Sequence, residues 1–451
     1  MELNLSPAHA IFNNMRKAQV KIESMAYKGY GVGRVDGKVI FVPYSLKDEK
    51  VWVEIVEEKK NYSMGSLREI IEPSPWRIKA PCPYFGVCGG CQWQHIDYTL
   101  HGELKKEILK DILGRIGGLK DIPPIHVLPS PQPYGYRVRV QLKVKGKAIG
   151  YYQERSHQIV DIDHCPISHS LVNELIRLLR EGPSFFTRME EIEINVSPEE
   201  GKGIFVLHPL SFFSGWKTFG EKFLQTHPLL KGIALVRKGK MKIAGDPSLH
   251  LTIFPNRDGK QRELRLQASP LSFFQVHPEQ NRRLIETVLE FSDVRKNERV
   301  LDLYAGIGNF TLPLAIEAQE AVGIEDNRLA IQDARFNAEE NGIKNCDFLP
   351  GRVKEMLKDL KRERPDLIVL DPPRTGCKDV IEEVAGLKPK KIVYTSCDPT
   401  TLARDLRLFS EKEYYLLKLS LIDMFPQSYH MEVVGLLTPQ SRCGDAEMAE
   451  K

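Results

Sequence analysis

Two kinds of hydrophobic pattern divide the chain. Up to about residue 265, short β-rich runs such as "GKVIFVPYSL" and "YRVRVQLKVKGK" alternate with turns rich in Gly, Asp and Lys. From about residue 266 onward, helical segments such as "NRLAIQDARFNAEENG" separate very apolar runs such as "DLIVLDPP" and "KKIVYTSC". Apolar strands that alternate with helices are typical of a parallel sheet buried on both faces. The second half therefore predicts a doubly wound α/β domain over 266–440.

The first β-rich region, residues 12–72, contains short strands separated by turns such as "YKGYGVGRVDGK". This spacing predicts a small five-stranded barrel. The region has a slight excess of basic residues and several interspersed aromatic residues, and barrels of that kind often bind single-stranded nucleic acid. A solvated accessory barrel fits the same composition equally well.

A proline-rich segment, "EPSPWRIKAPCPYF", ends the barrel and opens a central region over 73–265, which turns β-rich from about residue 124. In "YRVRVQLKVKGK" four cations alternate with apolar residues, which predicts a strand with one buried face and one basic face. The basic row has two interpretations: it follows nucleic-acid phosphates, or its charges protect an edge strand from aggregation. The cations are Arg137, Arg139, Lys143 and Lys145.

Composition places the chain among ordinary globular proteins of two or three domains. Of 451 residues, 42% are hydrophobic and 27% are charged, and the net charge of +4 permits a nucleic-acid partner without requiring one. No apolar run approaches the roughly 20 residues of a membrane helix, and the N-terminus lacks the blocks of a signal peptide. We expect a cytoplasmic protein with no membrane contact, no obligate protein partner and a disordered polar tail over 441–451.

The eight cysteines of a chain in a reducing compartment are better candidates for metal binding or catalysis than for disulfides. Cys82, Cys88 and Cys91 have the spacing C-x5-C-x2-C in "CPYFGVCGGCQWQH", and Cys165 in "DHCPIS" offers a distant fourth thiolate. Such a set can surround either a tetrahedral zinc ion or a cubane iron–sulfur cluster. The spacing does not choose between these two groups.

A strand, a Gly-x-Gly turn and a helix follow one another in "VLDLYAGIGNFTLPLA". The glycines let the backbone approach a ligand at the carboxyl end of the strand, and Glu325 ends the next strand, where a carboxylate can accept both ribose hydroxyls of an adenosine. Position 311 is Thr, so the dinucleotide pattern is incomplete and S-adenosylmethionine (SAM) is favoured over NAD. Asp371 in "LIVLDPPR" ends a further strand at the same rim, where the cofactor and the substrate are expected to meet.

Cys397 follows the apolar run "KKIVYT" instead of lying within it, which predicts a thiol at the rim where the cofactor is expected. A thiolate beside a methyl donor indicates a target atom that is too weakly nucleophilic to attack the sulfonium unaided, and C5 of uracil fits this description. Addition of the thiolate to C6 makes the ring an enolate, whose C5 can take the methyl group. A base must then remove the C5 proton. Glu432 in "DMFPQSYHMEVV" is a candidate, although a solvated glutamate is the commoner case.

Four motifs, "LDLYAGIGNF", "LDPPR", "YTSCDPTTLARD" and "DMFPQSYHMEVV", follow one another in the order seen in the SAM-dependent RNA 5-methyluridine methyltransferases. The chain resembles this family over nearly its whole length, and its barrel resembles the family's TRAM domain. The resemblance implies that Cys397 is the nucleophile and that Glu432 accepts the proton. The implied SAM contacts are Gln275, Tyr304, Glu325 and Asp371, with Asn309 considered beside them.

The resemblance also bears on the metal group, the substrate and the fold. Family members with this cysteine pattern carry a [4Fe-4S] cluster, so a structural cluster is expected on Cys82, Cys88, Cys91 and Cys165. Members with both barrel and cluster mostly modify 23S rRNA, and some relatives modify the T-loop of tRNA. We expect RNA as the partner, 23S rRNA before tRNA. The rivals are a non-catalytic RNA-binding protein, an iron–sulfur redox protein and a methyltransferase that acts on a base amino group. The expected fold is a Rossmann-like methyltransferase domain, preceded by a TRAM- or OB-like barrel and a central β-rich iron–sulfur domain.

Overall fold

A computed structural model gives the architecture of most of the chain. Its described residues form three sheets of six, seven and eight strands, together with two short two-stranded pairs. None of their helices is long and apolar enough to cross a membrane. The predicted tail lies outside the described residues. The described ranges are 16–182, 185–212, 214–257, 259–360 and 364–439.

The first sheet closes into a small barrel. Its strands are β1 (Lys17–Lys21), β2 (Ser24–Ala26), β3 (Tyr30–Val35), β4 (Lys38–Pro43), β5 (Lys50–Glu58) and β6 (Tyr62–Glu72). The strand order β1-β5-β6-β4-β3-β2 places β1 and β2 at opposite edges, yet only Ile22 and Glu23 separate them. Ile22 donates to the carbonyl of Glu49 next to β5, and Glu23 donates to Val32 in β3. One bent strand therefore borders both edges, and the expected five-stranded barrel is present with β1 and β2 as the halves of one strand.

Between the barrel and the second sheet the chain forms α1 (Tyr98–Arg115) and β7 (Ile125–Leu128). The second sheet has the strand order β10-β9-β8-β11-β12-β13-β14 and carries two helices. Its elements are β8 (Arg139–Lys145), β9 (Ala148–Tyr152), β10 (Ile159–Asp161), α2 (Ser170–Glu181), β11 (Met189–Ser197), β12 (Lys202–Pro209), α3 (Trp216–Thr226), β13 (Leu230–Arg237) and β14 (Lys240–Gly245).

β8 carries most of the predicted basic row and lies in the interior of the second sheet, so the edge-strand interpretation is wrong. Its apolar residues are buried, as the period-two alternation predicts. On the other face, Arg139 forms an ion pair with Glu193 of β11 at 3.1 Å, and Lys143 pairs with Glu191. Acidic residues of the neighbouring strand therefore neutralise two of the four cations, which weakens the interpretation of the row as a track for phosphates.

The third sheet is mostly parallel and has the strand order β21-β20-β19-β22-β23-β25-β24-β7. A hairpin region precedes it, with β15 (Leu249–Ile253), β16 (Asn256–Arg257), β17 (Lys260–Gln261) and β18 (Leu264–Ala268). The remaining elements are α4 (Pro278–Ser292), β19 (Arg299–Leu303), α5 (Thr311–Glu317), β20 (Glu320–Glu325), α6 (Arg328–Glu340), β21 (Cys346–Pro350), α7 (Val353–Asp359), β22 (Leu367–Leu370), α8 (Ile381–Gly386), β23 (Lys391–Ser396), α9 (Pro399–Ser410), β24 (Tyr414–Ile422) and β25 (Glu432–Pro439).

The chain runs outward from β19 through β20 to β21, and then returns to the other side of β19 for β22 and β23. These strands pair in parallel, and β25 is antiparallel to both β23 and β24. The direction of winding thus reverses between β19 and β22. In doubly wound sheets the carboxyl ends of the strands at such a point form a ligand-binding crevice.

The third sheet also takes a strand from the region that was expected to be central. β7 pairs in parallel with β24 at the far edge of the sheet, and α1 packs against α9 and β7. Residues 98–128 therefore complete the third sheet. This strand and helix precede residue 266, where the catalytic domain is expected to begin.

Candidate active site

A cavity lies over the carboxyl ends of β19 and β22, at the point where the winding direction reverses. Gln275, Tyr304 and Asp371, three of the four expected SAM contacts, line it together with Gly306. β15 and β18 form one wall. The space measures about 700 Å³ including its open mouth.

The strand β19 ends in a sharply turned loop at this cavity. Tyr304 has a left-handed backbone, with φ of 71°, which is rare for a residue that carries a side chain and is concentrated at functional sites. The amides of Tyr304 and Ala305 both donate to the carbonyl of Ile324 in β20, at 2.9 and 3.0 Å. The neighbouring strand therefore holds the turn in this conformation.

Glu325, the fourth expected SAM contact, lies beside the Gly-x-Gly turn and is not among the residues that line the cavity. Its carboxylate accepts hydrogen bonds from the amide of Gly306 at 3.0 Å and from the amide of Asn327 at 2.7 Å. These two bonds fix the carboxylate at the end of β20, on the side of the turn where a ribose is expected.

Asp302 in β19 and Asp371 after β22 are two neighbouring carboxyl groups with raised pKa values. Asp302 is fully buried and accepts a hydrogen bond from the hydroxyl of Thr311 at 2.5 Å. Burial and the nearby charge of Glu325 raise the pKa of Asp302 to about 7, against the effect of that hydrogen bond. Burial and the charge of Asp302 likewise raise the pKa of Asp371 to about 7. A cation in the cavity would therefore favour the ionised form of Asp371.

Sequence reasoning missed Asn281, which lines the cavity, and the buried Asp302, whose charge acts on Asp371. Asp302 carries a signal, because an acidic residue within the apolar run "RVLDLYA" is unusual. Asn281 carries none, since it lies on α4 among other polar residues. In the structure Asn281 and Asn309 exchange two amide hydrogen bonds, at 2.9 and 3.0 Å, and both line the cavity.

Cys397 lies at the junction between β23 and α9. Asp398 caps the helix, because its carboxylate accepts hydrogen bonds from the amides of Thr400 at 2.9 Å and Thr401 at 3.1 Å. Pro399 occupies the first helical position, where no amide hydrogen is needed. The Asp-Pro pair thus starts the helix and leaves Cys397 partly exposed at the rim of the sheet.

The charges of Glu432, Asp371 and Arg374 act on the thiol of Cys397, and those of Asp371 and Arg374 act on Glu432. Burial and the charges of Glu432 and Asp371 raise the pKa of the Cys397 thiol to about 12, while the charge and hydrogen bond of Arg374 oppose this rise. Glu432 is only 3% exposed. Burial and the charge of Asp371 raise the pKa of Glu432 well above its usual value, and Arg374 again opposes. The structure therefore brings Cys397, Glu432 and Asp371 together, with Arg374 as a fourth member that sequence reasoning did not include.

Helix α1 holds the loop that leads from β24 to Glu432. The fully buried ammonium of Lys105 donates to Asp423 at 2.6 Å and to the carbonyls of Phe425 and His430 at 3.3 and 2.6 Å. Tyr98 donates its hydroxyl hydrogen to the other oxygen of Asp423 at 2.9 Å. Both ends of the loop are therefore attached to the same helix.

The four cysteines expected to bind metal come from two separate segments. Cys82, Cys88 and Cys91 lie in the loop before α1, and Cys165 lies shortly before α2. Burial, together with the charge of Cys165, raises the pKa of each of the other three thiols. The fold therefore brings the distant fourth cysteine close to the other three.

A different group of potential metal ligands contains two carboxylates that already form ion pairs with basic side chains. Glu191, Glu193 and His208 offer ligand atoms within 4.8 Å of one another. The two carboxylates, however, form the ion pairs with Lys143 and Arg139 that were described above. A metal ion there would have to displace both cations, so this group does not form a candidate metal site.

Comparison with known proteins finds matches to both the barrel and the catalytic region of this chain. The sequence model of the tRNA (uracil-5-)-methyltransferase family matches residues 233–440, and that of the TRAM domain matches residues 14–67. An uncharacterized RNA methyltransferase of Caldanaerobacter subterraneus is 36% identical over 450 residues, which cover 93% of this chain and 98% of the relative. An uncharacterized RNA methyltransferase of Aquifex aeolicus is 36% identical over 426 residues, with coverage of 93% and 98%.

A solved structure matches the whole architecture. The Pyrococcus abyssi tRNA (uracil-54, C5)-methyltransferase in complex with S-adenosyl-L-homocysteine has a TM-score of 0.72 and 26% identity, and the match covers 93% of this chain and 99% of that one. The fold and the cavity define a SAM-dependent methyltransferase domain joined to a TRAM barrel. The chain belongs to the RNA (uracil-5-)-methyltransferase family.

Proposed function

We propose that this enzyme methylates C5 of one uridine in a structured RNA, with Cys397 as the nucleophile and Glu432 as the final base. The observation that carries this mechanism is the proximity of three charged groups to the Cys397 thiol at one rim of the sheet, since the charges of Glu432, Asp371 and Arg374 all act on that thiol. Methylation of a base amino group would need neither the thiol nor a second carboxyl group beside it.

In the proposed reaction, the thiolate of Cys397 adds to C6 of the uracil ring, and the ring becomes an enolate. SAM supplies the methyl group that C5 takes. Glu432 then removes the C5 proton, the electrons of that C–H bond restore the C5–C6 double bond, and the C6–S bond breaks to return the thiolate. The raised pKa of Glu432 makes its ionised form a stronger proton acceptor than a solvated glutamate.

Substitution of each group separates the two roles. We expect Cys397→Ala to lose methylation and keep its affinity for SAM, because the thiol acts on the RNA. We expect Glu432→Gln to methylate the base and remain covalently attached, because the C5 proton cannot leave. Denaturing gels of protein with labelled RNA detect the attached species, and Cys346→Ala, which changes a cysteine at the start of β21, is the matched control. A fully active Glu432→Gln variant that dissociates freely would remove Glu432 from the mechanism.

The RNA substrate is proposed to be 23S rRNA, as members of the family with both barrel and cysteine pattern mostly modify this RNA. The tRNA T-loop is the second candidate, because the matching Pyrococcus abyssi enzyme acts on uracil 54 of tRNA. The test incubates the protein with methyl-labelled SAM and either unmodified RNA, followed by mass spectrometry of the nucleosides. Labelled 5-methyluridine in one RNA identifies the substrate. Its absence from both, with SAM bound, would favour the non-catalytic RNA-binding rival.

We also propose that Cys82, Cys88, Cys91 and Cys165 hold a [4Fe-4S] cluster. This proposal is supported by the effect of the Cys165 charge on each of the other three thiols, which indicates that four cysteines from two segments lie near one another. A [4Fe-4S] cluster takes one thiolate at each of its four irons, which fits a set of four cysteines. Apolar side chains near Cys91, including Tyr136 and Ile167, would shield such a cluster from water.

The barrel is proposed to bind RNA because it lies against the catalytic rim. The hydroxyl of Tyr27 donates to Asp398, the residue after Cys397, at 3.3 Å. The Tyr27 ring also meets the ring of Tyr429 edge to face, with 5.2 Å between centroids. An RNA strand that delivers a base to Cys397 would therefore pass close to the barrel.

A further inference from the structure

A second groove lies beside the catalytic rim and is made by parts of the chain that are far apart in sequence. The barrel contributes Lys28 and Tyr30, the cysteine loop contributes Gly89 and Gly90, and residues 151–157 come from the end of β9 and the turn after it. Tyr429, from the loop before Glu432, completes the lining. The space measures about 1120 Å³ including its open mouth. We call it the tyrosine groove, after Tyr30, Tyr151, Tyr152 and Tyr429.

The tyrosine groove presents at least one aromatic ring, that of Tyr152, that the packing of the fold leaves exposed. Tyr152 is 40% exposed, and its ring meets the ring of His157 edge to face at 5.5 Å. The Lys143 ammonium lies 5.7 Å from the centre of the Tyr152 ring. Because every base has a flat π-face, exposed aromatic rings of this kind bind unpaired nucleotides by stacking.

Cations accompany these rings. The guanidinium of Arg155 lies 5.3 Å from the centre of the Tyr30 ring and donates to its hydroxyl at 2.6 Å. Lys28 is exposed at the barrel side. The one carboxylate of the lining, Glu154, accepts hydrogen bonds from Tyr44 at 2.9 Å and from Tyr30 at 3.4 Å. Rings for bases and cations for phosphates are the combination found in sites for single-stranded nucleic acid.

The groove is linked to the catalytic rim through the contacts of Tyr429. Tyr429 lines the groove, and its ring touches that of Tyr27, which is hydrogen-bonded to Asp398. The charge of Arg374 acts both on Tyr429 and on the thiol of Cys397. A strand with one base at Cys397 would therefore have its next nucleotides at the tyrosine groove.

We propose that the tyrosine groove binds unpaired nucleotides that flank the target uridine, with their bases stacked on Tyr152 and Tyr30 and their phosphates near Lys28 and Arg155. The inference rests on the proposed function, since it takes RNA as the substrate. It adds that the target must lie in an unpaired segment, because a paired neighbour has no free face for stacking.

The test compares single-stranded and double-stranded RNA. The full-length protein is titrated into labelled oligouridine of about 12 nucleotides and into a duplex of the same length, at one fixed salt concentration. We expect Tyr152→Ala to weaken binding of the single strand at least about fivefold and binding of the duplex less than about twofold. Tyr152→Phe keeps the ring and should retain full affinity. Tyr415→Ala, which removes a tyrosine of similar exposure on β24, is the matched control.

Three results would overturn the proposal: no affinity of the wild type for oligouridine, no loss in Tyr152→Ala, or an equal loss on both RNAs. SAM affinity and the unfolding midpoint are measured for each variant, and Tyr152→Leu serves as the second variant if Tyr152→Ala does not fold. The product assay distinguishes the two proposals. If the wild-type protein makes 5-methyluridine and Tyr152→Ala binds oligouridine normally, the tyrosine-groove proposal alone is rejected. If oligouridine binding depends on Tyr152 but the wild-type protein makes no 5-methyluridine, the proposed function alone is rejected.

Discussion

Arg374 is the residue that the site adds to the set predicted from the sequence. It directly follows Asp371, Pro372 and Pro373, so the motif that ends β22 also supplies the cation beside the thiol. Its guanidinium favours the charged forms of both Cys397 and Glu432. Sequence reasoning did not include Arg374 in the site, because no pattern along the chain showed that the arginine lies near a cysteine at the end of the next strand.

The first prediction concerns the thiol itself. Loss of the opposing cation in Arg374→Gln should raise the pKa of Cys397 further, so that less thiolate is present at neutral pH and methylation slows by at least about tenfold. Arg374→Lys should restore part of the rate. The pH dependence of Cys397 alkylation, followed by mass spectrometry of its peptide, measures the thiol independently of activity. Arg295→Gln, at an exposed position before β19, is the control, and an unchanged alkylation profile in Arg374→Gln would contradict the assigned role.

The second prediction concerns Asp371. Because its pKa is raised to about 7, its ionised fraction rises between about pH 6 and pH 8, and a cationic ligand should bind more tightly at the higher pH. We expect the affinity for SAM to rise by up to about tenfold over this range. S-adenosylhomocysteine has the same amino acid group but no sulfonium charge, and its affinity should change less. The neighbouring carboxyl groups of Asp302 and Glu432 also have raised pKa values, so their ionisation at higher pH should likewise strengthen the binding of a cationic ligand.

Calorimetric titrations of both ligands at both pH values measure this difference. Asp371→Asn should bind SAM more weakly at high pH and lose most of the pH dependence, whereas Asp379→Asn, at an exposed position in the following loop, should behave as the wild type. Equal pH dependence for SAM and S-adenosylhomocysteine would show that the sulfonium does not interact with this carboxylate.

Helix α1 influences the site directly, because it forms hydrogen bonds to the loop before Glu432. No sequence motif indicates this role. Lys105→Met would leave the carboxylate of Asp423 buried without its cationic partner, which costs about 3–5 kcal/mol in the free energy of unfolding. The loop before Glu432 would also lose three hydrogen bonds from one ammonium. Methylation should therefore fall together with stability. Lys106→Met, which breaks an exposed pair with Glu103 on the same helix, should change stability by less than about 1 kcal/mol.

A double variant distinguishes positioning from general stability. Replacing both partners, in Lys105→Met with Asp423→Leu, removes the unpaired charge and should recover most of the lost stability. Activity should not recover, because the carbonyls of Phe425 and His430 remain without their donor. Chemical denaturation and methylation assays measure the two quantities separately. Full recovery of both would mean that the ion pair only stabilises the fold.

The site residues at the strand ends could be predicted because each of them directly follows an apolar run of the third sheet. Tyr304, Glu325, Asp371 and Cys397 all follow such runs, and parallel strands deliver their carboxyl ends to one rim. Long-range pairing was not predictable. β7 joins the third sheet through β24, nearly three hundred residues later, and the acids that neutralise β8 lie on β11. Nothing in the local pattern of either strand indicates its neighbour.

At the scale of the whole molecule, the barrel, the second sheet and the third sheet meet at the catalytic rim and the tyrosine groove. The cysteine loop packs closely at this junction, where the amide of Gly89 donates to the carbonyl of Tyr152 at 3.0 Å. A Cβ added at Gly89 would lie only 3.0 Å from that oxygen and 3.2 Å from the amide nitrogen of Glu154. The position of the loop therefore determines one wall of the groove, and a cluster that fixes the loop would also shape the RNA-binding surface.

The last prediction follows from this connection. If the proposed cluster links the cysteine loop to the segment before α2, Cys165→Ser should reduce the iron content from about four per chain and lower the unfolding temperature. Oligouridine binding should also weaken, because the loop that forms one wall of the groove is released, whereas SAM binding at the third sheet should persist. Cys346→Ser, a change of a cysteine outside the cluster, should alter none of these quantities. Anaerobic purification, iron analysis and RNA titration of both variants measure the effect: retained iron in Cys165→Ser would contradict the ligand set, and stoichiometric zinc in the wild type would contradict the cluster itself.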